Sequence, residues 1–507
     1  MAKLLPTLLV LSMLVGSSAA QEMHDHDAPE QLGQVSFSTS CSPAVQAQFA
    51  RGVALLHSFA YADAKATFES VAQADPHCAM AHWGIAMSYF HQLWDPPIAP
   101  ANLSLGHQEM QRAQQLGGGS ERERGFISAL AVIYDAGGNV PYMTSAQHYT
   151  QAMKAVAAAN PNDVESQVFY ALALLSPAPP SDKTHANQKL AFAVLEPLYV
   201  KYPQHPGLAH YLIHATDNAE MARQGLAAAQ AYAKIAPSAP HALHMPSHIF
   251  TRLGMWDDSI ASNMASEEAA GRHGDTGEQL HAMDYLVYAY LQSGRDTEAA
   301  DVIQQLKTMS GLNHGDFKVG YAATAMPVRY AVERKDWAAA ASIVPPPSNA
   351  PTHVVAIAVW ARGLGSAHTG HAADARAQAA KLLDLQKQLE AAGRDYWAGQ
   401  VAVQRLEVLA WAEQSDGKSQ DAAALLRQAA DAEDAVEKLP VTPGPIVPAR
   451  EQLGDLLLLM NQPQLALKEF QTSLQNAPGR LGSTTGAARA GQLTAADGQK
   501  PSATLQQ

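Results

Sequence analysis

The stretch FARGVALLHSFAYADAKATFESVAQADP, residues 49–76, decides the fold. It is rich in alanine and consists of two segments of helix length, and Pro76 closes it. Gly52 lets two helices approach closely, while Ala64 and Phe68 fill the groove between them. The stretch therefore predicts a pair of antiparallel helices that pack against each other and serve as one unit of a repeat.

The same marks return near the other end of the chain, in Gly454, Ala466, Phe470 and Pro478. Between the two ends, turn glycines and closing prolines divide the chain into about eleven helix pairs, with a period of roughly 34 to 40 residues. Units that bury their apolar surface against neighbours explain how so long a chain is stabilised without a single core. We therefore predict an all-α solenoid, a right-handed superhelix of helix pairs over residues 41–480.

The two ends of the chain differ from this array. Residues 1–20 combine Lys3, an apolar run and small residues up to Ala20, which is the pattern of a secretory signal peptide. We predict cleavage after Ala20 and a periplasmic or secreted protein. Residues 21–40 are polar and are predicted to be a disordered leader. Residues 481–507 lack a strong period and are predicted to be a partly disordered tail.

Charge and cysteine content narrow the class of protein further. The net charge of −13 argues against a nucleic-acid partner, which normally requires a basic surface. No segment after the signal peptide is long and apolar enough to predict a membrane span. Cys41 and Cys78 lie 37 residues apart, close to one repeat. In an oxidising compartment they are expected to form a disulfide; the alternative is two buried thiols.

A row of histidines follows the repeat. His244 and His248 come 34 residues after His210 and His214, and His281 lies on the helix after them. Residues four apart share one face of a helix, so stacked helices would gather these imidazoles. On the repeat register they fall on first helices, which line the concave surface of such an array.

One interpretation of this row is a metal site. Two histidines four residues apart present two nitrogen donors, and a third histidine with a carboxylate would complete a tetrahedral site for zinc or copper. An open fourth position would suit a metal-dependent hydrolase. The candidate ligands are His210, His214, Asp217, His244, His248, His281 and Asp284.

The function that the sequence favours is a protein- or peptide-binding scaffold, in which the concave groove holds an unknown partner, with the metal site as the alternative. Polar contacts to that partner would come from His241, Arg252, Tyr288 and Arg329. Histidines in such a groove would make binding sensitive to acid. A third interpretation gives the histidines a structural role, packed against aromatic rings such as Tyr211 and Tyr285. The sequence carries no short catalytic motif, such as a nucleophile elbow or a phosphate-binding loop, so an enzyme is not supported.

The chain resembles the exported bacterial tetratricopeptide repeat (TPR) proteins. The resemblance rests on CAMAHWGIAMS (78–88), HPGLAHYLIHATD (205–217), HALHMPSHIFTRLG (241–254), LHAMDYLVYAYLQ (280–292) and VTPGPIVPARE (441–451). It implies a helical solenoid over essentially the whole mature chain, with protein contacts as the default role. It implies no particular activity, because the repeat signature is specific for fold and not for function.

Overall fold

The structure, a computed structural model, describes residues 30–93, 98–138 and 140–498. Over these ranges the regular structure is helical. The α-helices are α1 (Gln46–His57), α2 (Tyr61–Ala74), α3 (Ala79–Tyr89), α4 (Pro100–Leu116), α5 (Glu121–Asp135), α6 (Tyr142–Ala159), α7 (Val164–Leu175), α8 (Ala186–Lys201), α9 (Pro206–Thr216), α10 (Ala222–Ile235), α11 (Pro240–His244), α12 (Pro246–Arg252), α13 (Trp256–His273), α14 (Thr276–Gln292), α15 (Asp296–Thr308), α16 (Phe317–Glu333), α17 (Trp337–Ala341), α18 (Thr352–His368), α19 (Ala372–Ala391), α20 (Asp395–Ser415), α21 (Ser419–Asp434), α22 (Ala449–Leu459), α23 (Pro463–Asn476) and α24 (Leu481–Gly498).

Each helix packs against the next one along the chain, from α1 to α24, which makes the fold an α-solenoid. The predicted small-residue crossings lie between these helices. The ring of Phe68 is wedged between Gly52 and Gly84, where an added Cβ would come within 2.7 and 2.5 Å of it. Phe470 is held in the same way by Gly454 and Gly486. The TPR-like, all-helical fold predicted from these residues is confirmed.

The leader differs from its prediction over the described residues 30–40. Leu32 and Phe37 are buried, and the Phe37 ring lies 5.4 Å from that of Phe49 and 5.2 Å from that of Phe126, centroid to centroid. An aromatic residue in a polar segment has found an apolar pocket, and burying it favours an ordered segment. The signal peptide and residues 21–29 lie outside the described residues.

The described part of the predicted C-terminal tail is helical. Residues 481–498 form helix α24, which packs on α23 and also contacts α14. Gly486 lies against Phe470, and Ala490 is fully buried. Residues 499–507 lie outside the described residues.

Cys41 and Cys78 form a disulfide, with their Cα atoms 4.8 Å apart. The bridge joins the segment before α1 to the start of α3, so it spans the first helix pair. In the described ranges no helix is long and apolar enough to cross a membrane.

A loop between α21 and α22, residues 435–448, crosses the interior of the solenoid; we call it the interior loop. Glu437 donates its backbone N–H to the carbonyl of Pro180 at 2.8 Å. Tyr285 donates its hydroxyl to the carbonyls of Pro440 and Thr442, both at 3.2 Å. The loop thus connects distant parts of the chain.

Candidate metal centre

Helices α9, α11, α12 and α14 bring six histidines together in the interior. The His244 and His248 pair spans a break between α11 and α12, because Pro246 starts a new helix. Met245 between them keeps helical dihedral angles, with φ −53° and ψ −35°, so the two imidazoles still project from one face. The pair that follows His210 and His214 by 34 residues therefore also lies on one helical face, despite the break.

The six histidines form two groups of three. We call His210, His214 and His241 the first triad, and His244, His248 and His281 the second triad. Within each triad one nitrogen from every imidazole lies within 4.8 Å of the others. All five histidines predicted as ligands are in these triads, joined by His241, which the sequence suggested only for the groove.

The histidines are buried rather than arranged along an open concave surface. His210, His244 and His248 expose no surface, and His214, the most exposed of the six, exposes 9%. The interior loop accounts for part of this burial, because its Lys438 reaches the edge of the cluster at Asp217. Nothing in the local sequence around the histidines signals this cover.

In the second triad, the Nε2 atoms of His244 and His248 face each other at 3.0 Å. Each ring uses its other nitrogen elsewhere. Nδ1 of His244 lies 2.6 Å from Oδ1 of Asn263, and Nδ1 of His248 lies 2.9 Å from Oδ2 of Asp217. The amide of Asn263 is oriented by its own N–H, which donates to the carbonyl of Ser259 at 2.8 Å. Both partners of the Nδ1 atoms are therefore acceptors.

This pattern fixes the tautomers. Since Nδ1 donates a proton in both His244 and His248, a neutral ring carries only a lone pair on Nε2. The two Nε2 atoms then face each other as two acceptors at hydrogen-bond distance, which is unfavourable without a positive centre beside them. Protonating one ring would supply that centre. Burial works against it, because it lowers the pKa of His244 well below its ordinary value and also lowers that of His248.

The predicted carboxylate ligands lie elsewhere. Asp217 contacts the outer nitrogen of His248, not the inner face of the triad, so it orients a ligand instead of being one. Burial opposes ionisation of Asp217, but the charges of Lys438 and Arg252 outweigh it and hold the pKa well below its ordinary value. Asp284 pairs with Arg329 at 3.4 Å, and burial raises its pKa. The prediction that either aspartate binds the metal directly is not supported by this geometry.

Of the residues predicted to line a peptide groove, His241, Tyr288 and Arg329 are buried and Arg252 is partly buried. Arg329 exposes no surface and Tyr288 only 3%, with the guanidinium of Arg329 5.0 Å above the Tyr288 ring. Nδ1 of His241 lies 3.0 Å from a carboxylate oxygen of Glu278. Arg252 is tied to Asp217 at 2.9 Å. In this interior, charged groups are paired with each other, as buried charges must be.

Sequence reasoning missed a third histidine cluster. Glu165 accepts from Nε2 of His57 at 2.9 Å and from Nε2 of His205 at 3.1 Å. Nδ1 of His57 lies 3.0 Å from the hydroxyl of Tyr211, and Nδ1 of His205 accepts the backbone N–H of Leu208. These residues are far apart in the sequence and share no repeat spacing, so no sequence signal links them. Neutral tautomers satisfy every nitrogen in this cluster.

Comparison with protein-family models and with curated proteins finds no match. Among solved structures, the Cut9–Hcn1 tetramer of the APC/C is 11% identical, with 90% of this chain and 78% of that chain covered and a TM-score of 0.35. Yeast Tom70 is 9% identical, with 89% of each chain covered and a TM-score of 0.33. The TPR domain of P58(IPK) is 11% identical over 90% of this chain and 99% of that one, at 0.24. At scores this low, the function of these proteins cannot be assigned to this chain. The fold and the site together define a helical-repeat protein with a buried histidine cluster.

Proposed function

We propose that this protein binds a first-row transition metal ion, zinc or copper, at the second triad inside the solenoid. The observation that carries the proposal is the 3.0 Å contact between Nε2 of His244 and Nε2 of His248, with both Nδ1 atoms already donating. A metal ion between the two lone pairs supplies the positive centre that this contact requires. His281, whose ring centroid lies 4.3 Å from that of His244, supplies the third nitrogen.

The surroundings of the second triad fit a metal site. Histidines that bind metals usually donate their other N–H to a carboxylate or carbonyl, and here His248 donates to Asp217 and His244 to Asn263. Zinc-to-nitrogen bonds of about 2.0 to 2.1 Å place two ligands of a tetrahedral site roughly 3.3 Å apart. The His244 to His248 contact is already close to that value. Three imidazoles leave a fourth position for water or another small ligand.

The cluster of His57, Glu165 and His205 orients its donors and acceptors differently from the second triad. There, a carboxylate lies between the two rings and accepts from both. In the second triad the acceptors are outside and the lone pairs point inward. The difference between the two clusters is therefore one of orientation, and it supports binding at one and a structural role at the other.

The test is metal analysis of the purified full-length chain. After loading with zinc or copper and removal of excess ion, we expect bound metal that the double change His244→Ala and His248→Ala reduces. Metal should also raise the melting temperature, because an ion that binds only the native state stabilises it. The matched control is His205→Gln, which alters a buried histidine outside the triads and should keep its metal. A chain that takes up no ion and melts unchanged would refute the proposal.

A protein-binding scaffold is the second candidate function, and the fold is the observation that favours it. Stacked helix pairs present extended surfaces to partners. Beside the interior loop lies a cavity of about 160 Å³, bordered by Arg252, Tyr288 and Trp397, and two of these residues were predicted to line the groove. Affinity capture of a partner that is lost in Tyr288→Ala would support binding at this cavity. Capture that survives the change would assign the partner to another surface.

Export of the chain is part of the proposal. Its support is the signal-peptide pattern of residues 1–20, together with the Cys41 to Cys78 disulfide, since such bonds persist in oxidising compartments. Sequencing the N-terminus of the mature protein from its natural source is the test. A mature chain that begins at Gln21 would support export, and one that retains Met1 would contradict it.

A further inference from the structure

The first triad repeats the features of the second. Nε2 of His210 and Nε2 of His214 face each other at 3.1 Å. Nδ1 of His210 lies 2.5 Å from the backbone carbonyl of His57, which can only accept. His210 therefore carries its lone pair on Nε2, directed at His214. The same i, i+4 pair, 34 residues earlier in the chain, thus repeats the contact between two Nε2 atoms.

The third member of the first triad is oriented by a carboxylate. Nδ1 of His241 lies 3.0 Å from Glu278, whose other oxygen accepts from Lys318 at 2.9 Å. With Nδ1 donating, the lone pair of a neutral His241 is on Nε2. The ring of His241 lies 5.0 Å from that of His210, centroid to centroid. Because Glu278 accepts from Nδ1, the lone pair on Nε2 of His241 is the one that would bind a metal ion.

The two triads are immediate neighbours. The ring centroids of His214 and His248 are 6.1 Å apart, and those of His241 and His244 are 6.0 Å apart. These distances are little longer than the 4.8 Å between His210 and His214 inside one triad. The carboxylates of Asp217 and Glu278 contact the Nδ1 atoms of His248 and His241.

We propose that the two triads together form a dinuclear centre in which two transition-metal ions are each held by three imidazole nitrogens. The inference rests on the proposed function and extends it from one ion to two. Each ion keeps an open position, and two open positions at neighbouring ions suit a small bridging ligand such as hydroxide. Imidazole nitrogens suit copper and zinc, and the absence of a thiolate among the six ligands disfavours an iron–sulfur cluster.

The same arrangement has one alternative within the first triad. His214 has no acceptor fixed at Nδ1 among the contacts of the described residues, so its Nε2 can carry a proton and donate to His210. The pair would then be an ordinary hydrogen bond, and only the second triad would bind metal. The stoichiometry of binding separates the two arrangements, because they predict two ions and one ion per chain.

The experiment loads the full-length protein with zinc and, separately, with copper(II), and measures metal per chain by elemental analysis. We expect two ions in the wild-type chain. The double change His210→Ala and His214→Ala should leave one, and His244→Ala with His248→Ala should also leave one. His205→Gln is the matched control and should keep two. Circular dichroism of each metal-free variant establishes that it is folded.

Electron paramagnetic resonance of the copper(II) protein provides a readout that needs no variant. Two copper ions in neighbouring sites couple, so the integrated signal should fall below two spins per chain, and a single-site variant should give one full spin. One ion per wild-type chain, unaffected by the change at His210 and His214, would overturn the dinuclear inference and leave the proposed function standing. Two ions with a full two-spin signal would also overturn it, and no bound ion would refute both.

Discussion

Replacing Asp217 by Asn tests whether the residues outside the second triad support a metal. Asp217 accepts from Nδ1 of His248 at 2.9 Å, from Nε of Arg252 at 2.9 Å and from Nζ of Lys438 at 2.8 Å. An asparagine keeps the size of the side chain and removes its charge. Without the carboxylate beside Nδ1, the Nε2 atom of His248 becomes a weaker ligand for a metal ion. A negative charge that favours a nearby cation is also lost. Losing such an outer partner typically lowers metal affinity about 10- to 100-fold, or roughly 1.4 to 2.8 kcal/mol.

The same change also affects folding stability, and the two effects must be separated. Removing one member of a buried ion pair costs about 3 to 5 kcal/mol, because its partner stays buried without compensation. Two features of the partners reduce that cost here. Arg252 retains Glu437 at 3.3 Å, and burial already lowers the pKa of Lys438 to about 8, so this lysine can lose its proton in the variant. We therefore expect a loss near the lower end of the range, about 3 kcal/mol.

The assay is competition for zinc between the folded protein and a chromophoric chelator, well below the melting temperature of each variant. Glu165→Gln is the matched control. Glu165 is likewise a buried carboxylate between charged or polar partners, and the two histidines beside it hold its pKa well below its ordinary value despite burial. It should lose stability and keep its metal affinity. Equal affinity losses in the two variants, or an Asp217→Asn protein that binds zinc as tightly as the wild type, would refute the reasoning.

Three further predictions concern stability. Reducing the Cys41 to Cys78 bridge, which closes a 37-residue separation, should lower the free energy of unfolding by about 4 kcal/mol, measured by urea titration with and without reductant. Phe68→Ala should cost about 3 to 5 kcal/mol, and Phe470→Ala a similar amount, because each ring fills a space between two glycines; a loss below 1 kcal/mol would contradict the wedge. Burial lowers the pKa of His353 to about 3, below the value near 6.5 in the unfolded chain. Below pH 6.5 the unfolded chain therefore takes up a proton that the folded protein does not, and the free energy of unfolding falls as the pH drops. Between pH 7.5 and 5.5 the wild type should therefore lose about 1.4 kcal/mol more than His353→Phe, and parallel pH profiles would contradict this.

The sequence predicted the helical units and the histidine row because both depend on local spacing. A glycine and a phenylalanine at the crossing of Gly52 with Phe68 determine how two adjacent helices pack, and a pair such as His210 and His214 shares a face wherever the helix lies. The burial of that face was not predictable in the same way. It depends on Lys438 and its neighbours, which return to Asp217 from more than two hundred residues away.

The roles of the acidic residues were not predictable either. Spacing places Asp217 and Asp284 near the histidines but does not say which nitrogen of a ring each one meets. That depends on ring orientation, which is set by tertiary packing. The burial of Phe37 in the predicted leader was not predictable for a similar reason, since the pocket that receives its ring is built from helices α1, α3, α5 and α7.

The interior loop has a consequence for the order in which the protein matures. A ribosome adds Lys438 157 residues after His281, the last histidine of the triads, which takes roughly 8 to 30 s at about 5 to 20 residues per second. During that interval every histidine of both triads has been synthesised, but the lysine that neutralises Asp217 has not. The centre therefore reaches its final electrostatic environment only when the chain is nearly complete, so a truncated product would contain all six histidines and still lack the finished site.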